Sequence, residues 1–139
     1  MEKNTPTNKI ILYNFFIETW GNMAINNINP IIQKLDIISK FQNNKGKIPS
    51  EITYFICVHI PHYNKSVLMN AIYIILLYTL DKILLEQNIL DKYSNQLLNA
   101  INYLNLHYLK NSDCFQNIFV LQALTYVNDL YTNHFNLEK

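Results

Sequence analysis

The stretch from Ser66 to Leu85 reads SVLMNAIYIILLYTLDKILL, and its reading decides the fold. Ile72, Ile74, Ile75, Leu76, Leu77 and Leu80 fall on every side of a 3.6-residue helix and leave no wide polar face. A helix apolar nearly all round lies in a membrane or inside a protein. A bilayer span needs about 20 apolar residues, and Asn70 and Asp81–Lys82 sit badly in one. The stretch therefore reads as the central helix of a bundle, wrapped by the rest of the chain. Asp81 and Lys82 come at its C-terminal end, where charge reaches water and Lys82 suits the helix dipole.

Composition agrees with a bundle. A chain of 139 residues makes one domain, 1–139. Half the residues are hydrophobic, so a sizeable core is available. Two glycines and four prolines are few breaks, which favours long helices over strands and turns. Arginine is absent, while Asn, Ile, Tyr and Lys abound, a bias of AT-rich coding more than of function. Tyrosine suits interfaces, but under that bias its abundance says little. A net charge of +1 and no arginine leave no footprint for nucleic acid. Cys57 and Cys114 are too few for a disulfide framework and point to a reduced compartment. The polar ends MEKNTPTNK and HFNLEK suggest neither a secretion signal nor a tail anchor.

Outward from the central run, the chain divides into helices with short connections. Thr7 or Asn8 can cap a first helix to about Ile28. Ile10, Tyr13, Ile17, Trp20 and Ala24 form its core face, and a second row, Leu12, Phe16 and Met23, lies beside them. Pro30 opens a helix over Ile31–Phe41, and QNNKGK, Gln42–Lys47, is the clearest loop. Ser50 can cap a short helix from Glu51 to His59, which Pro61 ends. A helix from Leu90 to Leu109 carries Leu97, Ile101, Leu104 and Tyr108 on one face. The last, Cys114 to about His134, offers Ile118, Leu121, Thr125 and Leu130 for its inner face. The expected fold is all-α, with six or seven helices around a buried one.

Cys57, His59 and His62 form C-x-H-x-x-H, with His107 and His134 further on. A metal site needs three or four convergent ligands, and no second cluster follows at ligand spacing. Cys57 with a histidine could make a nucleophile and base, yet no glycine turn or third orienting group accompanies them. A small buried hydrophobe is the plainer role for such a cysteine. No catalytic, cofactor or metal site is expected.

Three stretches carry a family resemblance. Tyr13–Ile28, YNFFIETWGNMAINNI, has a tyrosine shortly before a tryptophan. Cys57–Tyr78, CVHIPHYNKSVLMNAIYIILLY, joins a cysteine, an Ile-Pro pair, a polar loop with Lys before Ser, and the long apolar helix. SNQLLNAINYL from Ser94, or NIFVLQALTYV from Asn117, could be a penultimate helix. In order and spacing these stretches resemble the poxvirus Bcl-2-like immunomodulators, the vaccinia-type intracellular virulence proteins. The resemblance implies a Bcl-2-like bundle and a non-enzymatic protein of the host cytoplasm. It would suppress signalling towards NF-κB by binding host signalling proteins, or block apoptosis, and would insert in no membrane. It also implies a homodimer through the first and penultimate helices. Leu12, Phe16 and Met23 suit such a contact, and suit the core equally well.

Two departures favour the signalling branch. Anti-apoptotic relatives hold a pro-death helix in a groove marked by an Asn-Trp-Gly-Arg signature. In this chain Trp20–Gly21 belongs to the first helix, and no arginine exists to pair with the incoming Asp. The membrane tail of mitochondrial members is also missing from the sequence. A cyclin-like helical adaptor is a further alternative, suggested by KIPSEITYF, Lys47–Phe55, with YTLDK, Tyr78–Lys82, although no Lys and Glu pair for binding a kinase is visible.

Overall fold

The computed structural model describes residues 8–21, 28–110 and 114–135. In chain order these form β1 (Asn8–Ile11), α1 (Leu12–Gly21), α2 (Asn29–Lys40), β2 (Glu51–Phe55), β3 (Val58–His62), α3 (Ser66–Ile83), α4 (Ile89–Lys92), α5 (Ser94–His107) and α6 (Cys114–Asn133). Short 3-10 turns follow α3, at Leu85–Gln87, and α5, at Tyr108–Lys110. The protein is mostly helical with one small sheet, so the all-α expectation is corrected.

α3 is the centre of the core. Every residue from Met69 to Leu77 is buried, and α5 and α6 make its main contacts. Its isoleucines are weak helix formers in isolation. Burial of apolar area at about 25 cal/mol per Å² outweighs such preferences. Thr79 stays compatible with the helix because its hydroxyl donates back to Ile75 O at 2.9 Å. By length and composition alone α3 passes for a membrane span, as core helices of proteins also do, and 56% of it is buried inside the protein.

Ser39 and Asn70, polar and buried in this core, each have a partner. Ser39 Oγ and Tyr73 Oη lie 2.6 Å apart and join α2 to α3. Tyr93, between α4 and α5, donates its hydroxyl to Asp36 of α2. Burial pushes both tyrosines above their usual range, so each stays a neutral phenol. Asn70, fully buried, accepts from Ile48 N at 3.0 Å and donates to Gly46 O at 2.7 Å. It thereby fastens the Gln42–Lys47 loop to the central helix. Gly46 adopts φ +92°, and a Cβ there would meet Asn99 O at 2.7 Å, so only glycine fits.

The sheet replaces the helix expected over Glu51–His59. β2 and β3 form a two-residue hairpin closed by the Phe55–Val58 pair, and β1 pairs antiparallel with β2, Ile10 opposite Ile52. Ile52, Thr53, Tyr54, Phe55, Val58 and Ile60 are β-branched or aromatic, types that suit a pleated surface. Ile10 and Ile52 point into the core. The opposite face, with Phe55, Val58 and Ile60, points to solvent.

Candidate interaction surface

β1 passes into α1 without a break, and this junction sets the rotation of the helix. Ile10 must point inward beside Ile52, and Leu12 N donates to Ser50 O at 2.9 Å. Leu12, Phe15, Phe16 and Thr19 then face the core. Tyr13, Ile17 and Trp20 are turned outward, at 43%, 46% and 43% exposure. This reverses the expected core face. It also corrects the expected dimer contact: Leu12 and Phe16 are core residues with no surface to offer a second copy. Met23 and Ala24 lie outside the described residues.

α6 reverses in the same way. Val120, Ala123, Val127 and Leu130 pack inward, which puts Ile118, Leu121 and Thr125 outside. Small side chains on this face let α6 sit close to the bulky surface of α3. Of the expected inner residues only Leu130 is buried. The two helices meet through Phe119, whose ring is edge-on to Tyr13 at 6.4 Å and to Phe16 at 5.9 Å. Five large apolar side chains, Tyr13, Ile17, Trp20, Ile118 and Leu121, thus lie exposed on the two helices that Phe119 joins. Trp20 also borders an apolar depression of about 320 Å³ with Thr79, Lys82 and Ile83.

A polar cluster fastens α3 to α6. Tyr78 stacks on Tyr126 with ring centroids 4.0 Å apart, under the Lys82 ammonium at 4.7 Å. Its hydroxyl donates to Asp129 Oδ2 at 2.6 Å, and that bond, with burial, pushes the phenol up to about 12. The same bond and one from Asn133 hold the Asp129 carboxyl below its usual range. Asp81 accepts from Leu90 N at 3.2 Å, and His134 lies 3.6 Å from Asp91. These groups border a depression of about 200 Å³. Asp81 and Asp129 are already engaged in bonds between and within helices, so the arrangement serves as a clasp.

The C-x-H-x-x-H residues do not come together. Cys57 is exposed in the hairpin turn. His59 and His62 are three apart on β3 and therefore point to opposite faces. His107 stacks on Tyr103 at 4.3 Å. Among the described residues, no three His, Cys, Asp or Glu side chains converge as a metal site would need.

No protein-family model, curated protein or solved structure matches the chain. The class of the protein therefore rests on its own architecture: a mostly helical domain with a buried central helix, a three-stranded sheet and large apolar side chains exposed on α1 and α6.

Proposed function

We propose that the chain is a Bcl-2-like viral immunomodulator of the poxvirus kind. It is a non-enzymatic module that binds a host signalling protein in the cytoplasm and lowers NF-κB activation. It self-associates through the outward faces of α1 and α6. The observation that carries this reading is the exposure of Tyr13, Ile17, Trp20, Ile118 and Leu121 on those helices. Aromatic and large aliphatic residues grouped at a surface mark protein contacts. The apolar α3 wrapped by α1, α5 and α6 supports a Bcl-2-like bundle, and the β2–β3 hairpin is a departure from an all-helical one.

Two features weigh against the alternatives. A pro-death helix needs anchors at i, i+3 or i+4, and i+7, over about 10 Å of groove. Among the described residues, the depression beside Trp20, at about 320 Å³ and lined by four residues, suits one or two side chains instead. Lys47–Phe55, the basis of the cyclin-like alternative, forms a loop and β2.

The test has two arms. In cells carrying an NF-κB reporter, the protein should lower the stimulated signal, and Ile17→Asp should restore it. Calorimetry against pro-death helical peptides should show no sub-micromolar binding. An unaffected reporter, with peptide affinity at about −8 kcal/mol or better, would move the protein to apoptosis inhibition.

A further inference from the structure

The tip of the β2–β3 hairpin is built against both water and backbone preference. Ile56 is 92% exposed, the most exposed large hydrophobic among the described residues, and Phe55 and Val58 beside it are 47% and 56% exposed. Ile56 also adopts φ +52°, the left-handed region that a β-branched side chain avoids. Glycine or asparagine is the ordinary residue there. Coding bias does not account for the choice, because asparagine is abundant in this chain and fills the same conformation at Asn88. An apolar side chain at such an apex needs an apolar medium to enter.

Charge and shape point to what that medium is. No carboxylate occurs on the hairpin from Ile52 to His62, while His59 and His62 do. Lys40 reaches over the Phe41 ring, which itself packs at a tilt against His59. Glu51, the nearest acid on the hairpin, is matched by Lys9 at 3.6 Å. Strand addition is opposed: Pro61 lies on the outer strand β3 at a position that pairs without ladder bonds to Ile52, so that edge lacks an amide donor there. A convex apolar tip that carries no carboxylate, with His59 one strand pair back from it and Lys40 beyond Phe41, suits a yielding, negatively charged surface better than a pre-shaped protein pocket.

We propose that the hairpin tip docks the protein on anionic lipid membranes, with Ile56, Phe55 and Val58 entering the headgroup boundary and Lys40 supplying positive charge behind them. This is peripheral attachment, distinct from a membrane span and independent of the α1–α6 surface. It departs from the expectation that the protein enters no membrane.

The test is flotation of the purified protein with phosphatidylcholine vesicles, with or without about a third phosphatidylserine. The protein should float with the anionic vesicles and far less with the neutral ones. Ile56→Gly should lower the partition roughly tenfold or more, the loss expected for one large aliphatic anchor. It should melt no lower than the parent, because glycine suits φ +52°. Leu85→Asp, exposed at the end of α3 remote from the hairpin, should float like the parent. Equal flotation of Ile56→Gly and parent overturns the proposal. So does a parent that ignores vesicles, including one whose mass in solution falls on Ile56→Gly, which would make a second copy the occupant.

Discussion

Replacing Asn70 with alanine tests how the central helix holds the rest of the chain. The side chain is fully buried and bonded to Ile48 N and Gly46 O. Gly46 O keeps Gln42 as a second donor at 3.1 Å, so the group left orphaned is Ile48 N–H. A buried unsatisfied donor costs about 1–3 kcal/mol, and a lost neutral bond about 1. The small cavity adds about 1 kcal/mol, and alanine returns about 0.5 through helix propensity. The sum is a loss of about 3 kcal/mol, a large part of the 5–15 typical of a domain. An unfolding entropy of about 2.1 cal/mol/K per residue, about 0.3 kcal/mol/K over the chain, turns this into a Tm about 10 °C lower. Urea titration and thermal melting give both numbers. Asn70→Asp separates the bonds: it keeps an acceptor for Ile48 N–H but sets an oxygen against Gly46 O. Burial and that contact raise the new carboxyl's pKa, so this variant should approach the parent as pH falls and the group protonates. A loss under about 1 kcal/mol for Asn70→Ala, with no pH dependence for Asn70→Asp, would refute the reasoning.

Other expectations follow from single contacts. Gly46→Ala should cost about 2–3 kcal/mol, because φ +92° and the approach to Asn99 O both oppose a Cβ; an unchanged urea midpoint would contradict this. The Tyr78–Asp129 bond links stability to pH at both ends. Tyr78 is raised from 10.0 to about 12, so its contribution is complete below pH 10.0 and is lost as pH rises towards 12. Asp129 is lowered, so its contribution is present above the usual carboxylate range and is lost on acidification. Tyr78→Phe should therefore flatten the fall in Tm on both sides, and a curve parallel to the parent's would show that the bond contributes nothing in solution.

How much of this was legible in the sequence differs from one element to the next. α3 was readable because an all-round apolar helix leaves few choices. So were α2, the Gln42–Lys47 loop and the Leu97–Ile101–Leu104 face of α5, where turn chemistry or one clean stripe decides. The hairpin was not, because Ile56–Cys57 lacks the Asn-Gly type of turn signal. Ser50 and Pro61 look like helix punctuation, but Ser50 precedes β2 and Pro61 lies within β3. The surface on α1 and α6 was hidden for a different reason. Both helices are apolar on two sides, so periodicity offers two inner faces. The choice is made by tertiary structure: the β1 junction rotates α1, and the small side chains of α6 fit α3. Residues read as core, Tyr13, Ile17, Trp20, Ile118 and Leu121, are exposed. Leu12 and Phe16, which suit a contact and the core equally well by sequence, are core.

The exposed face of α1 and α6 is the centre of the account, and sedimentation equilibrium tests it most directly. The parent should have the mass of a dimer. Ile17→Asp and Leu121→Asp, both at exposed positions, should be monomers with an unchanged Tm. A monomeric parent, or variants that remain dimers, would contradict it.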